Sequence, residues 1–230
     1  MSERVLTVKL IKTSPPNETI FALGTQGSGK TTLIANLVLD KKRYVIFDTK
    51  QDFPPEEFQE AIVIKTRSEF QAAINTQKEK LIVQLWHDED PEKFLNDCCA
   101  DLMRLHTLNQ KNGLETWVLI DELNKFVFVG HCGEGLSDIS LRGRSIGIKK
   151  IYGAQWFATI PAWMRDGFSE IYCFAHTDEN GLDKLAVFGF DVDEVKNLPQ
   201  HVCMYRGKGK MERVSLVPDK ATTNNKGQNK

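Results

Sequence analysis

Long hydrophobic runs are missing from this 230-residue chain. No stretch approaches the roughly 18 to 20 consecutive apolar residues that a membrane-spanning helix needs, so no direct membrane span is expected. The start, MSERVLTVKL, lacks the basic-then-apolar order of a secretory signal, and the chain reads as cytosolic. Net charge is missing too: thirty basic and thirty-one acidic side chains leave a formal charge of −1. No whole-molecule field therefore draws the chain to nucleic acid or to an anionic membrane, and any polyanion must be met by a local basic patch. Cysteine is sparse. The five, at 98, 99, 132, 173 and 203, are odd in number and form no CxxC pair, which argues against a disulfide framework and for reduced, buried thiols. Cys173 and His176 make one tempting metal pair. In a strand, however, residues three apart point to opposite faces, and no second pair with zinc-site spacing accompanies them.

What the sequence does contain is alternation, without internal repeats. RVLTVKLIK is expected as a short strand that stops at the turn TSPPN. ETIFALG is a compact apolar run ending in glycine, and KTTLIANLVLDKK has apolar residues at helical spacing. RYVIFDTK, EAIVIKT, LIVQLW, ETWVLIDEL, IKKIYGAQ and EIYCFAH read as further strands. SEFQAAINTQKEK, DEDPEKFLNDCCADLMRLHTL, LSDISLRGRS, ENGLDKLAVFG and DVDEVKNL read as helices, and NKFVFVGHCGEG breaks the periodicity. HVCMYRGKGKMERVSLV alternates on either side of a glycine turn, as a terminal β-hairpin would. Strands alternating with helices predict an α/β fold with a mostly parallel sheet covered on both faces. Residues 1–218 are expected to form one domain, and the small polar residues of 219–230 a disordered tail.

Gly24-Thr25-Gln26-Gly27-Ser28-Gly29-Lys30-Thr31 matches GxxxxGK[ST] and is followed by Thr32. It lies where the mechanics of that motif require, after a buried strand and opening a helix. The glycines let successive backbone N–H groups turn toward phosphates, and the helix N-terminus adds its positive end. Lys30 would reach the β- and γ-phosphates of ATP, and the Thr31 hydroxyl would sit on Mg2+.

The partner motif is WVLIDEL. Its apolar residues bury a strand and push Asp121 and Glu122 out at the carboxyl end, where α/β sheets bind ligands. Asp121 would hold the magnesium, directly or through water. Glu122 is a second carboxylate beside the γ-phosphate, able to orient and polarise an attacking water, which points to hydrolysis. Alone, such a pair could be a helix cap; the glycine loop about ninety residues earlier sharply weakens that reading. Gln155, ending IKKIYGAQ, supplies a neutral amide that a strand beside the Asp121 strand would bring to the γ-phosphate or the water. A GTPase would want NKxD, and NKFV at 124–127 lacks the aspartate; no LSGGQ-like signature marks a transporter ATPase. A small-molecule kinase stays open.

With these elements in order, residues 19 to 217 resemble the FtsK/HerA superfamily of P-loop motors, and most closely the genome-packaging ATPases of tailless, membrane-containing icosahedral viruses. The carriers are GTQGSGKTT, FDTK, VLIDEL, RGRSIGIKKIYGAQ, IPAWMR and IYCFAHTDENGLDKLAVFGFDVDEVKNLP. The resemblance implies a RecA-like core that assembles as a homo-oligomeric ring, a pentamer or hexamer, around double-stranded DNA. An arginine of one subunit would then reach the γ-phosphate held by the next, and Arg142, Arg144 and Arg165 are the candidates by position. A chain with room for little beyond the motor fits the viral branch, with capsid or packaging-vertex proteins as partners and host cytoplasm and virion as its locations. Conjugation and secretion ATPases are the alternative within the superfamily. The lysines of NKFVFVG and RGKGKM are the candidates for pore contacts with DNA, a solvated hairpin turn being the plainer reading of the second.

Overall fold

The computed structural model describes residues 19–58 and 60–216. The expected first strand RVLTVKLIK, its turn TSPPN and the polar tail lie outside the described residues. Within them, β1 (Thr19–Leu23) leads into α1 (Lys30–Leu39), β2 (Tyr44–Asp48), β3 (Ile62–Ile64) and α2 (Arg67–Asn75). Next come β4 (Lys80–Gln84), α3 (Pro91–Leu108), β5 (Thr116–Ile120), a hairpin of β6 (Val127–Phe128) and β7 (His131–Cys132), and α4 (Glu134–Arg142). The remainder is β8 (Ile148–Ala154), α5 (Ala162–Arg165), β9 (Glu170–Phe174), α6 (Glu179–Val187), α7 (Val192–Lys196), β10 (Val202–Gly207) and β11 (Lys210–Ser215).

Nine of these strands form one sheet in the order β11-β10-β9-β1-β8-β5-β2-β4-β3. From β9 to β3 every pairing is parallel, and the terminal hairpin β10–β11 joins antiparallel to β9. Alternation within each strand divides the core. Trp117, Leu119 and Ile151 face one layer with Leu33, Ile34 and Val38 of α1, together with Phe53 and Phe58. Val118, Ile120 and Tyr152 face the other with Phe70, Leu95, Leu102, Ile139 and Leu182 from α2, α3, α4 and α6. Every residue of β1, β2, β5 and β9 is buried, which is why these segments read as continuous apolar runs rather than as half-polar strands. All five cysteines are free thiols, four of them buried. Among the described residues no helix is long and apolar enough to cross a membrane.

Several boundaries differ from the sequence expectation. LIVQLW stops as a strand at Gln84, and Leu85–His87 form a 3-10 turn. The helix over SEFQAAINTQKEK ends at Asn75, with Gln77 in a left-handed conformation just beyond. Its start is a capping box in which Thr66 Oγ accepts the Glu69 N–H and Glu69 accepts the Thr66 N–H. NKFVFVGHC hides the two-residue strands β6 and β7, too short to give a period.

The topology fixes the site. β8 lies between β1 and β5, so the ends of three neighbouring parallel strands deliver the glycine loop, Gln155 and the Asp121–Glu122 pair to one edge of the sheet.

Candidate nucleotide site

Gly29 caps α1 in a left-handed conformation (φ 102°), and among the described residues no side chain caps the N–H groups of the first turn. That turn carries no acidic residue. An N-terminus with unclaimed donors and no competing carboxylate fits a phosphate. A side chain at Gly29 would also meet His201 Nδ1 at 2.9 Å and Leu216 Cδ1 at 3.0 Å, so glycine is required twice over. The cleft here has a volume of about 280 Å3 and is lined by Thr25, Gln26, Gly27, Gly29, Lys30, Thr31, Thr32, Lys50, Asp52, Asp121, Glu122, Gln155 and His201. Gly24 and Ser28 stand behind it: Gly24 N–H donates to Ala154 O at 3.1 Å, and the buried Ser28 Oγ has no partner among the described residues.

Asp121 sits 1% exposed at the end of β5. Its Oδ1 receives the Lys30 ammonium and the Glu122 N–H (2.8 Å), and its Oδ2 accepts the Thr31 hydroxyl at 3.0 Å. One carboxylate and one hydroxyl side by side form a hard-oxygen donor set suited to Mg2+, which takes few protein ligands and completes its shell with water and phosphate. The contact between Lys30 and Asp121 depends on Gly153 in β8. A Cβ there would collide with Asp121 Oδ1 and reach Lys30 Nζ at 3.3 Å.

Glu122 lies in the left-handed region (φ 57°, ψ 47°), a strained choice for a side chain with a Cβ. The turn sends its carboxylate, 6% exposed as a residue, among three donors. Lys50 Nζ and Gln155 Nε2 (2.9 Å) hold Oε1, and Lys125 Nζ holds Oε2 at 2.9 Å. Burial by itself would raise the Glu122 pKa; the hydrogen bonds from Lys50 and Lys125 outweigh it and hold the carboxyl below its usual value. The bond to Glu122 in turn raises the Lys50 ammonium. Asp52 moves the other way, raised by burial and by the negative charges of Asp121 and Asp48.

Gln155 is aimed by a residue that the sequence reading passed over. Asn124 Oδ1 accepts the N–H groups of Gln155 (2.7 Å) and Trp156 (3.1 Å), and its Nδ2 donates to Trp156 O at 2.8 Å. Lys50, Lys125, Asp52 and His201 were likewise not assigned to the nucleotide. FDTK marked Lys50 only as part of a strand end, and Lys125, a candidate for DNA contact, pairs with Glu122 as Lys50 does. His201, left-handed at φ 62°, donates its N–H to Ser28 O at 3.2 Å, and Gln200 Nε2 donates to Gly27 O at 3.1 Å. The segment between α7 and β10 thus braces the glycine loop from 173 positions away, a relation no local pattern encodes.

The three arginines do not line the cleft of their own chain. Arg142 pairs with Asp138 on the surface of α4. It and Arg144 precede the start of β8, which at about 3.3 Å per residue lies roughly 23 Å from the end that carries Gln155. Arg165 ends α5 and packs over the Phe157 ring at 5.6 Å.

No family model matches the chain, and no curated protein matches its sequence. Solved structures do match. The genome packaging NTPase B204 from Sulfolobus turreted icosahedral virus 2, in complex with ATP-gammaS, superposes with a TM-score of 0.68 at 17% identity, over 89% of this chain and 100% of that one. VirB4 of Thermoanaerobacter pseudethanolicus gives 0.60 at 10% identity, over 86% and 88% of the two chains. ATPases 2 and 3 of EssC from Geobacillus thermodenitrificans give 0.56 at 14%, over 86% of this chain and 39% of that one. At such identities the likeness shows the fold alone, and that fold is the P-loop NTPase fold.

Proposed function

We propose that the chain is an FtsK/HerA-type ATPase that hydrolyses ATP with Mg2+ and uses the energy to translocate double-stranded DNA into a viral capsid. The observation that carries the chemistry is the convergence of Lys30, Thr31, Asp121, Glu122 and Gln155 on one cleft, with Glu122 and Gln155 in direct contact. Lys30 and the N–H groups at the start of α1 hold the phosphates; Thr31 and Asp121 hold the metal. Magnesium, when bound, would neutralise charge on the phosphates as the bond to the leaving group breaks. Gln155 orients a water, whose oxygen attacks the γ-phosphorus while Glu122 accepts its proton; the β–γ bridging bond breaks, and ADP and phosphate leave. What supports the DNA cargo is the likeness to packaging NTPase B204 together with the IPAWMR and RGRSIGIKKIYGAQ motifs. On this reading residues 1–218 form the motor, the subunits form a pentameric or hexameric ring, and it works in host cytoplasm and at the packaging vertex of the virion. Arg142, Arg144 and Arg165 stay the candidates for a contact across the ring. The likeness to VirB4 and EssC supports, as second reading, a motor of the same chemistry with another cargo.

The test is ATP turnover with and without double-stranded DNA. Turnover stimulated by DNA, and abolished in Glu122→Gln with ATP binding retained, is the expected result. Turnover that ignores DNA but requires a small-molecule acceptor would overturn the motor reading in favour of a kinase.

A further inference from the structure

The three donors on Glu122 are not equivalent. Lys125 follows it by three residues in the same turn, and Gln155 is fixed by Asn124. Lys50 comes from a different strand end, 72 positions away in sequence. Its main chain is held, because Asp48 Oδ1 accepts the N–H groups of both Lys50 and Asp52 at 3.1 Å. Its side chain is 43% exposed, much as the 44% of Lys125, but of the two lysines only Lys50 lines the same cleft as the glycine loop. An ammonium on a flexible four-carbon stem, within reach of one carboxylate and of the place where the loop holds a triphosphate, goes to the greater negative charge.

Resting on the hydrolase reading above, we infer that Lys50 is a positioning residue that changes partner: it holds Glu122 until a γ-phosphate arrives, then moves onto that phosphate and frees Oε1 of Glu122 for the water. ADP, which has no γ-phosphate, leaves Lys50 on Glu122. The site would thus be armed by the presence of the bond it cleaves and disarmed by its product. Lys125 and Gln155 keep the freed carboxylate from swinging out of the cleft.

The experiment measures binding of ADP and of a non-hydrolysable ATP analogue to the full chain, by titration calorimetry with magnesium present. Lys50→Met is expected to weaken the analogue about tenfold or more while changing ADP by no more than about twofold, and Lys50→Arg to recover most of the loss. Glu122→Gln removes the resident partner of Lys50 and should tighten the analogue several-fold; in the double variant with Lys50→Met that gain should vanish, since no ammonium is left to release. A gain that persists undiminished in the double variant overturns the exchange. Equal weakening of ADP and analogue by Lys50→Met also overturns it, because that is what a merely structural lysine would do. None of these readouts uses turnover. ATP hydrolysis by the wild type, and its loss in Glu122→Gln, judge the hydrolase reading on their own.

Discussion

Gly153 is the position where the geometry of the site makes its sharpest demand on the sequence. β8 passes behind the Lys30–Asp121 pair, and a methyl on Gly153 would overlap Asp121 Oδ1 while meeting Lys30 Nζ and Ile34 Cδ1 at 3.3 Å. Asp121 has nowhere to go. Its side chain is 2% exposed and is tied to Lys30, to Thr31 and to the N–H of Glu122. Overpacking of this kind costs about 1 to 3 kcal/mol, and displacing a charge-assisted hydrogen bond about 1.5 to 3. The two overlap, since the same movement of Asp121 relieves one and incurs the other, so Gly153→Ala should lose about 2 to 4 kcal/mol. At roughly 3 °C per kcal/mol for a chain of this size, the melting temperature should fall by about 6 to 12 °C. A second readout is specific to the site. Because Asp121 is moved, the gain in nucleotide affinity produced by magnesium, measured as the ratio of Kd in chelator to Kd in magnesium, should shrink about tenfold. A Gly153→Ala protein that melts with the wild type and keeps its magnesium dependence would refute the reasoning.

Three further expectations follow from other contacts. Lys150 is 2% exposed in β8, and its ammonium is pushed down to about 8 by burial, with Arg144 adding repulsion. The folded state therefore binds that proton less tightly than the unfolded chain, whose lysine titrates near 10.5; the penalty is complete below pH 8 and disappears as pH rises to 10.5. Lys150→Met should stabilise the protein by about 1 to 3 kcal/mol at pH 7, with an advantage that fades toward pH 10 in denaturant titrations; a difference independent of pH would contradict the assignment. Asn124→Ala releases Gln155 and Trp156 and should lower kcat about tenfold with nucleotide Kd little changed, whereas an unchanged kcat would deny Asn124 its positioning role. Of Arg142→Ala, Arg144→Ala and Arg165→Ala, one should lower kcat by about a thousandfold with nucleotide binding retained; losses below about tenfold in all three would remove every candidate for an arginine acting between subunits.

The parts legible in the sequence were those with a local cause. A buried parallel strand declares itself as an apolar run, so TIFAL, YVIFD, TWVLI and EIYCF were readable, and each ends in residues that cannot continue the run. The glycine loop carries its own mechanics. The adjacency of Gln155 to Glu122 was inferred from strand ends meeting, and the insertion of β8 between β1 and β5 is what brings them to 2.9 Å. Asn124, Lys50 and His201 were illegible because their roles depend on which strand ends are neighbours and on side chains crossing between loops. An asparagine after a carboxylate pair looks like any turn residue until its amide is seen bonded to a loop thirty-two positions away. The β6–β7 hairpin was missed for a different reason, since two-residue strands have no period to detect.

The same contacts explain how a chain with almost no net charge can hold a polyanion. The cleft brings Lys30 and Lys50 together with Asp121, Glu122 and Asp52, and Lys125 pairs with Glu122 beside it, so the cations are matched by carboxylates as in the whole chain. A triphosphate alone would take Lys30 from Asp121 and leave that carboxylate buried with its charge uncompensated, a costly state. On the proposed reading a triphosphate carrying magnesium would exchange partners instead: the phosphates would receive the ammonium and the metal the carboxylate. Binding would then be an exchange of ion pairs within a fixed frame, and selectivity for the metal complex would follow from the burial of Asp121 rather than from any excess of positive charge.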